Sequence, residues 1–257
     1  MQLEITLVGD VTVGSGDTAG RDALAGPPRV VLAALVLEGP TGVPRDRLAD
    51  IVWPDGLPKT WASALRTHVS RVRSLVTAAV GAGSETVVSG DPGYQLVLPA
   101  GVRLVVDLAE AERALDAARR SLGADPEAAR RLATEAADRV RAQFLPGHHG
   151  PWVDDIRARV GDVLVGALEI ASQSATALGD PELAAADADE AVRRAPLRES
   201  AHRARMAALA ASGNRAEALR AYQRLRRALA DELGVDPSPA TEAAYLELLG
   251  PAPPPRP

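Results

Sequence analysis

The sequence predicts an α+β N-terminal part followed by an all-α remainder. Three observations carry this. Period-2 apolar alternation with turn signals is confined to the first hundred residues. From Val106 onward the apolar residues recur at helical spacing to the end. Alanine, the strongest intrinsic helix former, makes up about a fifth of the 257 residues, whereas the aromatic residues are only three Trp, three Tyr and one Phe.

The elements follow in order. Leu3, Ile5 and Leu7 alternate, and Val11 and Val13 follow after Gly9-Asp10, so residues 1–13 read as two strands and a turn. Val30 to Leu37 is an apolar run that fits a buried helix behind Gly26-Pro27-Pro28. Arg45 to Trp53 is a short helix with Leu48, Ile51 and Val52 on its apolar face, stopped by Pro54-Asp55-Gly56. The next helix runs from Thr60 to about Val80. Leu65, Val69, Val72 and Val76 share its buried face. Its opposite face holds Thr60, Ser63, Thr67, Ser70, Arg71 and Ser74, with Arg66 and Arg73 along a flank. Thr86-Val87-Val88 and Tyr94 to Leu98 form a hairpin across Ser89-Gly90-Asp91-Pro92-Gly93.

In the helical part, Gly/Pro breaks separate segments of the length of paired helices. Gly179-Asp180 superposes on Gly213-Asn214, and Ala184 on Ala218, at an offset of 34 residues, the tetratricopeptide period. Two domains are therefore predicted, 1–100 and 107–250, with a disordered proline-rich tail over 251–257.

With 46% hydrophobic and 25% charged residues the chain can bury a sizeable core. The absence of cysteine excludes disulfides and thiolate chemistry. No apolar run approaches the ~20 residues of a membrane span, and no secretory leader pattern opens the sequence, so a cytoplasmic protein without a membrane role is expected. His148-His149 lacks a second ligand pair at metal spacing and reads as a polar loop. Lys59-Thr60 lacks the glycines of a phosphate-binding loop, and no nucleophile elbow occurs. No catalytic site, metal or cofactor is predicted, and the chain is not expected to be an enzyme.

The net charge of −5 hides one informative window. Residues 1–99 carry 8 basic and 10 acidic side chains, yet Gly56 to Ser84 contains no acid. It holds Lys59, Arg66, Arg71, Arg73 and His68, all on or beside one helix. A helix with a buried face and a hydroxyl- and arginine-bearing outer face suits the DNA major groove, since arginine can bond guanine twice. An ordinary solvated amphipathic helix is the competing explanation. The order helix, turn, helix, hairpin favours a winged helix-turn-helix over it.

These residues resemble a known family. Val30 to Leu37, Arg45-Asp46-Arg47-Leu48 with Ile51-Val52-Trp53, His68 to Arg73, and Pro92-Gly93-Tyr94-Gln95-Leu96 are similar to the OmpR-type winged helix of the Streptomyces antibiotic regulatory proteins. Phe144-Leu145-Pro146-Gly147 with Pro151-Trp152-Val153, Arg194 to Glu199, Arg215 to Tyr222, and Leu233 to Pro239 resemble the bacterial transcriptional activator domain that follows it. Two positions depart from the pattern: Pro28-Arg29-Val30 replaces a common Lys-Gln-Arg run, and Gln95 follows the hairpin tyrosine where Arg is usual.

The resemblance implies a transcription activator that binds promoter direct repeats as a homodimer or side-by-side pair and contacts RNA polymerase, often its sigma factor. It also implies control of a specialised-metabolite, typically antibiotic, gene cluster. Thr67 and Arg71 are the expected base contacts, and Ser63, Arg66, Ser70, Arg73 and Tyr94 the expected phosphate contacts. Trp53, Asp55 and Lys59, on the loop before the main helix, are the expected polymerase contacts. Two rivals remain: a helical-repeat adaptor with a vestigial DNA-binding part, and a hydrolase with an unrecognised Ser/His pair.

Overall fold

The computed structural model describes residues 1–16, 21–39, 41–81, 86–91 and 93–250. The proline-rich stretch 251–257, Pro92 of the expected hairpin connection, and residues 82–84 of the acid-free window lie outside the described residues. The chain divides into two compact units. The first contains residues 1–110 and 139–160; the second contains 111–138 and 161–257. A single cut between residues 100 and 107 therefore does not separate them.

In the first unit, β1 (Gln2–Thr6) pairs antiparallel with β2 (Thr12–Ser15), as the alternation predicts. Leu3, Ile5 and Val13 point into the core. Two further strands complete this sheet in the order β3-β2-β1-β7: β3 (Arg21–Ala23) and β7 (Arg103–Val106). β7 runs parallel to β1, matching Gln2 to Arg103 and Ile5 to Val106. It occupies residues just ahead of the expected helical region.

Helix α1 (Pro27–Leu37) starts with prolines in its first turn, where their missing N–H costs nothing, and buries Val30 to Leu35. β4 (Val43–Pro44) leads into α2 (Arg45–Val52), which buries Leu48, Ile51 and Val52. Helix α3 (Trp61–Val80) then buries Leu65, Val69, Val72, Val76 and Val80 on one face. Each such side chain contributes about 1.5–3 kcal/mol by leaving water. α1 packs against both α2 and α3. The hairpin is β5 (Val87–Ser89) and β6 (Gly93–Leu96), and β4 adds to it in the order β4-β6-β5.

Residues 139–160 complete this unit as a strap. Val8 bridges Phe144, and the Gly9 N–H donates to the Gln143 carbonyl at 2.9 Å. The Arg29 guanidinium donates to the Pro146 carbonyl, and Trp152 Nε1 donates to Glu38 at 2.6 Å. Phe144 and Leu145 are fully buried. Leu145, with φ 43°, is the one non-glycine residue of positive φ among those described. Arg157 holds that turn by donating to the carbonyls of Phe144, Leu145 and His148 at 3.1, 3.0 and 2.8 Å.

The second unit is helical. Its elements are α4 (Asp107–Ser121), α5 (Pro126–Arg139), α6 (Pro151–Ala177), α7 (Pro181–Arg194), α8 (Glu199–Ala211), α9 (Arg215–Leu233) and α10 (Pro239–Leu249), with the first turn of α4 and the first ten residues of α6 in the first unit. α7 packs on α8, α8 on α9, and α10 on both α8 and α9. Alanine lets these backbones approach: Ala118, Ala133 and Ala171 form one buried cluster, and Ala175, Ala184 and Ala208 another.

The 34-residue offset is exact in backbone terms. Gly179 and Gly213 have φ of 76° and 77°, a left-handed turn that glycine adopts without a Cβ penalty. Asp180 N–H bonds the Ala175 carbonyl at 2.9 Å, and Asn214 N–H bonds the equivalent Leu209 carbonyl at 2.8 Å. Ala184 and Ala218, also equivalent, are both fully buried. Among the described residues no helix is long and apolar enough to cross a membrane.

Candidate nucleic-acid interface

The outer face of α3 follows from the spacing that buries the inner one. Ser63, Arg66, Thr67, Ser70, Arg71 and Ser74 are all exposed and share one shallow concavity. Two hydroxyls already bond within the helix: Ser63 Oγ donates to the Thr60 carbonyl at 2.9 Å, and Thr67 Oγ1 to the Ser63 carbonyl at 3.1 Å. Their oxygens remain able to accept a bond from outside. Arg66, Arg71 and Lys59 form no ion pair among the described residues, so their charges are not neutralised locally.

Arg73 is half-buried on the flank. Its Nε donates to the Val87 carbonyl at 2.8 Å, and Thr77 bonds the fully buried Thr86 hydroxyl at 2.9 Å. Both bonds fasten α3 to β5. Arg73 therefore does packing work as well as carrying charge, which helical spacing alone does not reveal.

Tyr94 requires a correction. The expectation places it at the hairpin surface as a phosphate contact, but it is 4% exposed and belongs to the core. It sits opposite Val43 in the β4–β6 pairing, and the Arg45 guanidinium lies 5.5 Å above its ring. Tyr94 lies on the central strand of a three-stranded sheet, paired on both sides, and not on the free arm of a hairpin.

The loop between α2 and α3 carries Trp53, Asp55 and Lys59. Trp53 is half-buried, its ring centroid 5.9 Å from that of His68 on α3. Burial lowers the His68 imidazole pKa below its ordinary value, which favours the uncharged ring beside Trp53. Asp55 and Lys59 are exposed.

Sequence reasoning missed what the strap does to this loop. His148 Nε2 lies 2.9 Å from the Ile51 carbonyl at the end of α2, and His149 Nε2 lies 3.1 Å from Asp55 Oδ2. A Cβ on Gly150 would approach Pro54 Cβ to 2.8 Å, so glycine is needed where strap and loop touch. Together they enclose a hollow of about 310 Å³ that includes Ile51, Trp53, Leu57, His149 and Trp152. The two histidines stand out in the sequence only as a polar pair. Nothing local names a partner nearly a hundred residues earlier.

Comparisons with known proteins identify the family. Residues 106–249 match the family model described as bacterial transcriptional activator domain. The regulatory protein AfsR of Streptomyces coelicolor is 33% identical over 86% of this chain and 22% of its own length. The regulatory protein DnrI of Streptomyces peucetius is 29% identical over 92% of this chain and 88% of its own length. The chain thus spans about a fifth of AfsR but most of DnrI. The solved structure of Mycobacterium tuberculosis EmbR in complex with a low-affinity phosphopeptide shares the fold, with a TM-score of 0.81 and 24% identity over 96% of this chain and 65% of that one. These relatives bear the names of regulatory proteins. The chain belongs to the bacterial transcriptional activator domain family, among the Streptomyces antibiotic regulatory proteins.

Proposed function

We propose that the chain is a sequence-specific DNA-binding transcription activator whose first unit is a winged helix-turn-helix. α2 and α3 are the helix-turn-helix, α3 is the recognition helix, and the β5–β6 hairpin is the wing. The observation that carries this reading is the outer face of α3, six exposed polar side chains with two arginines that no carboxylate among the described residues neutralises. Thr67 and Arg71 lie one turn apart there and are the proposed base readers, while Ser63, Arg66, Ser70 and Arg73 hold phosphate.

The proposed target is a promoter with direct repeats, bound by a homodimer or side-by-side pair and associated with a specialised-metabolite gene cluster. RNA polymerase, through its sigma factor, is the proposed partner of the loop bearing Trp53, Asp55 and Lys59. Exposure of Asp55 and Lys59 supports that role, as does the bracing of the loop by α3 on one side and the strap on the other.

A salt titration tests the DNA reading. The two cationic phosphate contacts, Arg66 and Arg73, give a log–log slope of affinity on salt near about −2 per protomer. A flat profile on every duplex rejects it and favours the adaptor reading.

A further inference from the structure

We infer that Arg45 is an additional anchor on the DNA backbone, at the turn end of the wing hairpin; this rests on the DNA-binding reading above. The sequence motifs place Arg45 only in a helix, and the expected phosphate contact at this position, Tyr94, is buried. The structure puts a guanidinium on top of that buried ring instead.

The arrangement starts at Gly93. A Cβ there would lie 2.0 Å from the Val43 carbonyl oxygen and 2.9 Å from Pro44 Cα, so only glycine lets β4 lie against β6. That contact sets Val43 opposite Tyr94 and Pro44 opposite Gly93. The next residue is Arg45. Its guanidinium carbon lies 5.5 Å from the Tyr94 ring centroid, and its Nη2 donates to Ser89 Oγ on β5 at 3.2 Å. The ring is buried and Arg45 is exposed. Stacking and one hydrogen bond confine the charge before any ligand arrives, which lowers the ordering cost of binding.

What singles Arg45 out is the company it lacks. In the same unit Arg21 pairs with Glu4, Arg47 with Glu38 at 3.6 Å, and Arg103 with Glu110 at 3.7 Å. Arg45 forms no ion pair among the described residues, although Asp46 adjoins it in sequence. In this it matches Arg66 and Arg71. It also shares a strand with Arg73, which holds the Val87 carbonyl, while Arg45 holds Ser89 two residues further along β5. At about 3.3 Å per residue those two bonding positions lie roughly 7 Å apart. Strand β5 is therefore gripped by two guanidinium groups along its length.

The test uses the full chain with Arg45→Ala and Arg45→Lys. Each is titrated between roughly 50 and 200 mM salt against two duplexes: one of mixed sequence, and one enriched by the wild-type chain from a random library. Arg45→Ala is expected to reduce the magnitude of the log–log slope by about 0.9 and to weaken both duplexes by the same factor. Arg45→Lys is expected to keep the slope. Ser89→Ala, which frees the guanidinium but keeps its charge, should also keep the slope while weakening both duplexes less than Arg45→Ala does. An unchanged slope for Arg45→Ala overturns the inference, as does a loss confined to the enriched sequence. So does a lowered melting temperature in Arg45→Ala with the slope intact, because that marks a purely structural role. If the wild-type chain itself gives a flat salt profile on both duplexes, the DNA-binding reading fails instead, and the inference with it.

Discussion

The outer face of α3 and the surface of the second unit are built from the same cation and use it oppositely. In the second unit many arginines are neutralised by carboxylates. Arg198 meets Glu169 at 2.9 Å and Asp162 at 3.1 Å, Arg130 meets Asp187 at 3.0 Å, and Arg205 meets Asp189 at 2.7 Å. Arg194, Arg220 and Arg226 have carboxylate partners too. On α3, Arg66 and Arg71 have none among the described residues. Arg120, Arg131 and Arg227 of the second unit also form no ion pair among the described residues; what sets Arg66 and Arg71 apart is that they share one face of a helix that carries no acid. The informative quantity is not the number of arginines but how the unpaired ones gather on one acid-free face.

The largest expected effect is structural and sharpens that contrast from the second unit. Glu169 is 7% exposed and also accepts from Ser200 at 2.6 Å. Glu169→Ala should cost about 3 kcal/mol of unfolding free energy in urea, because Arg198 Nε and the Ser200 hydroxyl lose their buried acceptor while Asp162 holds only Nη1. A loss like that of an exposed pair would show that the neutralised arginines are incidental to the fold.

Arg71→Ala should cost ~1–3 kcal/mol on the enriched duplex and relax sequence preference, since a base reader is lost. Equal losses on enriched and mixed-sequence DNA in a binding titration would assign it to phosphate instead. Arg73→Ala should weaken both duplexes similarly and in addition lower the melting temperature, because the Val87 carbonyl loses its donor. The two variants break the comparison along its finest line, between a free and a half-engaged arginine.

Deleting Asp55 and Gly56 should impair transcription in a reconstituted polymerase assay and leave DNA affinity unchanged. A parallel fall in both would return the loop to a purely structural role.

The smallest effect is on pH dependence. His202 is 6% exposed, its Nε2 bonding the Pro196 carbonyl at 2.8 Å while Nδ1 has no partner. Burial lowers its pKa below the ordinary 6.5, so the folded chain resists a proton that the unfolded chain accepts. Stability should therefore decline as pH falls below about 6.5, and stop declining from this cause once the folded-state value is passed. Urea midpoints at neutral and acid pH, compared with those of His202→Gln, measure the share due to this ring.

Local spacing made α1, α2, α3 and the hairpin legible, because one buried face per helix is written in consecutive turns. The repeat was legible for a related reason: Gly179 and Gly213 are the residues that a left-handed helix end demands. β7 was not. Four residues carry no periodicity of their own, and β7 is a strand because β1, a hundred residues earlier, pairs with it. The outer face of α3 was read from the same spacing as its core. Tyr94 was misread because a hairpin in a sequence does not announce that β4 will cover its edge. The contacts of His148 and His149 were out of reach, since each partner is distant in sequence and the bond is set by the fold.

The strap also bears on how this protein can be divided. A gene truncated after residue 110 would encode β1 to β7 and α1 to α3 and yet omit Phe144, Leu145 and Trp152, leaving Glu38 and Ile51 without the bonds that the strap supplies. The first unit is thus not a bead that recombination can lift out intact. Any splice that keeps it whole must carry residues 139–160 along, together with the α4–α5 excursion that leads to them.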